Sequence, residues 1–525
     1  MLGRITSGLN SLFMVWAVCI FCAQPLRGQS DETITSTNYG KVRGTISDQG
    51  IHVFKGIPFA KPPVGELRWK APQAPDSWEG IFDANQFGPS PMQAPPRPFM
   101  FWSSEFLIPE VPISEDCLYL NVWTPKVDEQ AKLPVVVYIY GGGFRSGGSA
   151  CPIYDGENTA REGVVYVTIN YRVGLFGFLA HPELTKESPD NTSGNYGIQD
   201  MIAGLTWVRD TISKFGGDPN RVTIAGQSAG AFAVNYLTVV PQAQGLFHGA
   251  IAESGADFRK GGLGRGQLLE AAQNEGMALQ EEMGFSGISE LRSLSASELL
   301  KATKGGTWPI VDGYTIPMSV SDMYTMGLQA KVPVLMGWNK EDILYVRPQS
   351  PEEFHSGLLE QRFGSWADQF KAVYPADDSN ITLESQKRLS RDETFGTQVY
   401  SWAKGHANSS GEKVFVYNFN RGLPAYTEES AFGAFHSGEI VYAYNNLHTL
   451  DRPWEDEDRA LSGVMSAYWI NFIKSGNPNG SGLPVWPEFS IDTQQVMLLD
   501  AVSGASQFKD QKVYELWELF QSETE

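Results

Sequence analysis

Three short β-branched runs in fixed order constrain this 525-residue chain more than any other feature: Leu133-Pro134-Val135-Val136-Val137-Tyr138-Ile139-Tyr140, then Val164-Val165-Tyr166-Val167-Thr168-Ile169-Asn170-Tyr171, then Arg221-Val222-Thr223-Ile224-Ala225. Each stops at Gly, Asn or a polar turn and predicts a buried strand. Between the second and third, Asn195 to Phe215 carries Ile198, Ile202, Leu205, Val208 and Ile212 at three- or four-residue spacing, the pattern of an amphipathic helix. Strand, helix, strand predicts a parallel sheet. Such a sheet is covered on both faces, which is why the runs are continuously apolar rather than alternating. Two further strands follow: Val332 to Gly337, ending in Asn339-Lys340-Glu341-Asp342, and Val414 to Phe419, before a Gly- and Pro-rich loop that reaches His436. Polar residues just beyond strand C-termini mark where open α/β sheets place their sites.

The rest of the chain elaborates this sheet. Lys260 to Trp308 reads as helical, most clearly over Gln267 to Met283, and predicts a capping insertion. Ala94 to Pro112 reads as a long loop bearing Phe99, Phe101, Trp102 and Phe106. A net charge of −20 repels phosphate backbones and anionic lipid, so nucleic acid is not an expected partner. Residues 1–28 read as a secretory signal, with Arg4 ahead of an apolar run, Leu12 to Ala23, too short to span a bilayer. Cleavage after Gly28 and after Ala23 are both compatible with the small residues there. No stop-transfer pattern follows to favour an uncleaved anchor, so the expectation is a secreted or periplasmic protein with no stable membrane insertion. No composition shift, repeat or linker divides residues 29–525, which we read as one domain. Cys19 and Cys22 leave with the signal; Cys117 and Cys151 remain, as a disulfide or as two buried thiols.

Chemistry enters at Gly226-Gln227-Ser228-Ala229-Gly230, a G-x-S-x-G immediately after the third strand and before a helical run, Ala231 to Val239. Small flanking residues let a serine occupy a sharp strand-to-helix turn with its hydroxyl exposed above the sheet. The upstream Phe215-Gly216-Gly217-Asp218-Pro219 makes the pattern far more specific than five residues alone.

Together with Glu115-Asp116-Cys117-Leu118-Tyr119-Leu120-Asn121-Val122-Trp123-Thr124-Pro125, Phe54-Lys55-Gly56-Ile57-Pro58-Phe59-Ala60, Asn170-Tyr171-Arg172-Val173-Gly174, Gly194-Asn195-Tyr196-Gly197 and Ala252-Glu253-Ser254-Gly255, the chain resembles the type-B carboxylesterases, the cholinesterase-like branch of the α/β-hydrolase fold. The resemblance spans nearly all of residues 29–525 and implies a mostly parallel central sheet with helices on both faces and helical cap insertions. It implies a bacterial-type secreted serine hydrolase of small carboxylic esters, with no metal or organic cofactor. Ser228 is then the nucleophile. The backbone N–H groups of Gly142, Gly143 and Ala229 are the oxyanion donors, the first two from Tyr140-Gly141-Gly142-Gly143-Phe144. The base is His436, in Ala434-Phe435-His436-Ser437-Gly438-Glu439-Ile440.

Departures from the family pattern bear on the acid and the substrate. The family's N-x-D-E-G reads Asn339-Lys340-Glu341-Asp342-Ile343 here, so the acid falls on Asp342 when no gap is allowed, with Glu341 as the alternative. Cholinesterases carry a glutamate before the nucleophile; this chain has Gln227, which weakens any pull on a cationic substrate. The usual upstream partner of Cys117 is missing from Phe87-Gly88-Pro89-Ser90-Pro91, which raises a Cys117–Cys151 bridge as a hypothesis. Trp102 and Tyr345 are expected either to line an acyl or alcohol pocket or to anchor packing. The rival to an esterase is a non-catalytic binding or adhesion module, since relatives of that kind exist; those lack the serine or the base.

Overall fold

The computed structural model describes residues 33–524 apart from 260–262, 264–265, 303–307 and 345; the signal reading and Tyr345 lie outside the described residues. Eleven strands form one sheet, numbered here in chain order: β1 Thr45–Ile46, β2 His52–Pro58, β3 Tyr119–Thr124, β4 Leu133–Ile139, β5 Val165–Ile169, β6 Gly217–Gln227, β7 Gly249–Glu253, β8 Val334–Asn339, β9 Val414–Phe419, β10 Gln495–Leu499 and β11 Gly504–Gln507. Their spatial order is β11-β10-β9-β8-β7-β6-β4-β5-β3-β2-β1. From β5 across to β10 every neighbouring pair is parallel, and the antiparallel pairs sit at the two edges.

The expected strands are present with small boundary differences. Every residue of β5, β7 and β8 is buried, as two-faced coverage requires. Helix α1, Tyr196–Thr211, followed by a 3₁₀ turn Ile212–Phe215, makes the crossover from β5 to β6. It buries Ile198, Leu205, Val208 and Ile212 completely. Helix α2, Ala229–Leu237, has no exposed residue and packs on β6 and β7. The capping insertion contains helices α3 Leu269–Glu282, α4 Ile288–Ser293 and α5 Ala296–Ala302. It has its own small core, in which Ile288, Leu291 and Leu299 meet Trp69, Leu175 and Phe176.

The proposed bridge between Cys117 and Cys151 is not formed: both are buried free thiols. Each is stable as a small apolar group in its own surroundings. Burial pushes the Cys151 thiol up to about 12, and the Cys117 thiol, beside Asp200, also rises well above its ordinary range.

Candidate active site

β6 delivers Ser228 to the C-terminal edge of the sheet. Its backbone adopts φ 56°, ψ −125°, strained for a residue with a side chain and costing on the order of 1–3 kcal/mol. The turn is held by its surroundings: Ser228 N–H donates to Glu253 O at 2.9 Å, and Ser228 O accepts from Phe232 N at 2.9 Å. A Cβ on Gly230 would stand 2.0 Å from Ile139 O, so only glycine lets α2 start this close to β4. The half-buried serine therefore stands at the N-terminus of a nine-residue helix, where N–H groups and the helix dipole favour negative charge.

The glycines after β4 form the adjoining wall. Gly142 has φ 117°, and a Cβ there would collide with Ser146 O at 2.2 Å, so the sharp turn that leaves the loop bare beside the serine needs glycine. Gly141, Gly142, Gly143, Ser228 and Ala229 line one cavity of about 550 Å³ with His436, Gln227 and Trp102. Another cavity, of about 340 Å³, lies against Ile202, Trp207 and Thr211 of α1 and holds none of the candidate residues.

His436 reaches this cavity from the loop after β9, and Asp342 meets it from the loop after β8. The imidazole Nδ1 lies 2.5 Å from Asp342 Oδ1, both groups being fully buried. The other carboxylate oxygen, Oδ2, accepts from Asn339 N at 3.0 Å. Glu341 turns away: its Oε2 accepts from Ala434 N at 2.8 Å, and its backbone bridges to Phe435, clasping the histidine loop. The ungapped reading thus puts Asp342, not Glu341, against the imidazole. Phe395 stacks on the ring at 4.9 Å between centroids, and Trp102 meets it edge-on at 6.1 Å.

Gln227, the residue before Ser228, lies against the imidazole. Its Nε2 is 3.4 Å from His436 Nε2, while its Oε1 accepts from Ser437 Oγ at 3.1 Å, which in turn accepts from Trp102 Nε1 at 3.3 Å. Among the described residues no hydrogen bond joins Ser228 Oγ to His436 in this state. Such contacts commonly close only around substrate.

Several residues that pattern reading left unassigned support the site from below. Asn339 Nδ2 donates to Phe435 O at 2.8 Å and to Glu439, tying the acid loop to the histidine loop. Glu439 is fully buried, and desolvation, with Glu253 and Asp342 nearby, raises its carboxyl to about 8. Glu253, at the end of β7, rises to about 7 by burial, although Trp469 Nε1 donates to it at 2.7 Å and Tyr444 OH at 3.2 Å. Both acids stood inside quoted motifs, but only spatial neighbours show that they are dry and adjacent. Phe395, from a distant helical segment, left no local signal at all. Among the described residues no group of three or more His, Cys, Asp or Glu is arranged to hold a metal ion, and no helix is long and apolar enough to cross a membrane.

Comparison with known proteins identifies the family. Residues 31–517 match the model of the carboxylesterase family. The chain is 36% identical to fumonisin B1 esterase of Sphingopyxis macrogoltabida over 93% of its length and 89% of that protein. It is 34% identical to para-nitrobenzyl esterase of Bacillus subtilis, strain 168, over 89% of its length and 95% of that protein. A solved PNB esterase superimposes with a TM-score of 0.79 at 32% identity, covering 92% of this chain and 99% of that one. The chain belongs to the carboxylesterase family and is a carboxylic ester hydrolase of the α/β-hydrolase fold.

Proposed function

We propose that the chain cleaves carboxylic esters through an acyl-enzyme formed on Ser228. The 2.5 Å contact between the buried Asp342 and His436, in the cavity that Ser228 opens onto, carries this reading. His436 takes the Ser228 proton as the oxygen attacks the ester carbonyl and returns it to the leaving alkoxide. Asp342 fixes the tautomer that leaves Nε2 free as acceptor and stabilises the imidazolium. The tetrahedral intermediate puts its negative oxygen against the N–H groups of Gly142, Gly143 and Ala229, at the positive end of α2. Water then repeats the sequence on the acyl group.

The substrate class is carboxylic esters with at least one bulky limb. The 550 Å³ cavity and the relatives named for fumonisin B1 and para-nitrobenzyl esters both favour it. Export through residues 1–28 belongs to the same proposal. The rival non-catalytic module has no support, since the relatives named here are esterases. Ser228→Ala should abolish turnover of a short p-nitrophenyl ester and labelling by a fluorophosphonate while leaving the circular dichroism spectrum unchanged. Retained turnover would refute the assignment.

A further inference from the structure

The site cavity is walled by apolar side chains, glycines and neutral polar groups. Apart from His436, the only lining residue among those described that belongs to the charged class is Arg97. It is exposed, and among the described residues its side chain enters no hydrogen bond or ion pair. Four buried or half-buried arginines are occupied by carboxylates: Arg68 with Glu115, Arg172 with Asp200, Arg391 with Asp392 and Arg421 with Asp458. The free guanidinium sits in Pro95-Pro96-Arg97-Pro98, where the proline rings restrict the backbone and present the side chain from a stiff stretch. In a chain of net charge −20, Arg97 is, among the described residues, the lining side chain away from the Ser228 helix terminus that carries a fixed positive charge able to attract an anion.

We infer that Arg97 is a specificity-determining residue that favours esters carrying a second, free carboxylate on the acyl or alcohol limb. The inference rests on the assignment of Ser228 as the nucleophile. A guanidinium offers two parallel N–H donors that match a carboxylate, and a substrate whose ester group lies at Ser228 can extend its distal carboxylate along the loop to meet them. The contact forms in the bound ester and persists through the chemical step, so it acts on KM and leaves kcat nearly unchanged. Exposure keeps it modest and sensitive to salt.

The test compares matched esters by pH-stat on the full protein: monomethyl adipate against methyl hexanoate for the acyl limb, and 6-acetoxyhexanoate against hexyl acetate for the alcohol limb. Arg97→Gln should lower kcat/KM about threefold to tenfold for the anionic member of at least one pair, through KM, and change the neutral members less than about twofold. Arg97→Lys should retain most of the preference. Raising salt to about 0.5 M should shrink the preference in the wild type and not in Arg97→Gln. Equal effects of Arg97→Gln on anionic and neutral members of both pairs, or no effect on either, would overturn the inference. Failure of the nucleophile assignment gives a different result, hydrolysis of methyl hexanoate by Ser228→Ala.

Discussion

At the end of β6 the backbone alone decides where Ser228 points, whereas across the cavity His436 is held by side chains from four separate segments. The serine turn is set by hydrogen bonds between main-chain atoms of β6, β7 and α2, and by the missing Cβ of Gly230. The imidazole is set by Asp342, Phe395, Gln227 and Trp102, together with the Asn339 and Glu341 contacts that join its loop to the acid loop. A site half made by backbone is broken by adding a methyl group. A half made by side chains is broken by changing a functional group at constant shape.

The largest effect should come from the side-chain half. Asp342→Asn keeps the volume but removes the charge that orients and balances the imidazole, and kcat for a p-nitrophenyl ester should fall by about 10⁴ with the melting temperature nearly kept. Glu341→Gln, which touches the loop through one backbone N–H, should lower it less than about tenfold. If the two variants fall together, the division of labour between the acids is wrong.

Next, Gly230→Ala tests the backbone half. A methyl 2.0 Å from Ile139 O cannot be accommodated without moving α2 or β4, so urea unfolding should show a loss of at least about 3 kcal/mol. A variant of normal stability would mean that the turn is more pliant than its contacts imply.

Smaller and dependent on pH is the effect of the buried acids. Folding raises Glu439 to about 8 and Glu253 to about 7, above the roughly 4.3 of a free glutamate. As pH rises from about 4.5 to about 8 the unfolded chain releases these protons while the folded chain keeps them, so stability falls across that window. Glu439→Gln removes one of the two contributions. Its melting temperature in calorimetry should decline less than that of the wild type between pH 5 and pH 8, and parallel curves would show that Glu439 is ionised in the folded chain. Least of all, Trp102→Phe removes the indole N–H that Ser437 accepts and keeps the ring, and should raise KM about threefold with kcat within about twofold.

How much of this was legible in the sequence follows the same division. The strands and Ser228 were readable because a buried parallel strand is a contiguous apolar run and a backbone turn writes its need for glycine into adjacent residues. The acid was readable as Asp342 only through an ungapped alignment, with Glu341 left as the alternative, because the choice depends on which carboxylate faces a histidine 94 residues away in the chain. Phe395 was illegible, since it stacks on His436 from a segment that no motif connects to it. The disulfide hypothesis was misdirected by an even count of cysteines, when burial alone accounts for both. Arg97 stood unremarked inside a proline-rich loop. Only the cavity shows it as an unpaired charge.

The order of the strands carries a consequence for how the enzyme comes into being. Gln227 and His436 meet across 209 residues, and β9, the strand that leads to His436, is flanked by β10, beginning only at Gln495. A chain growing from its N-terminus has made Ser228 while His436 and the strands β9 and β10 beside its loop are still unmade. The two sides of the cavity can therefore meet only after β9 has been made, and a chain cut short before it would carry Ser228 without His436.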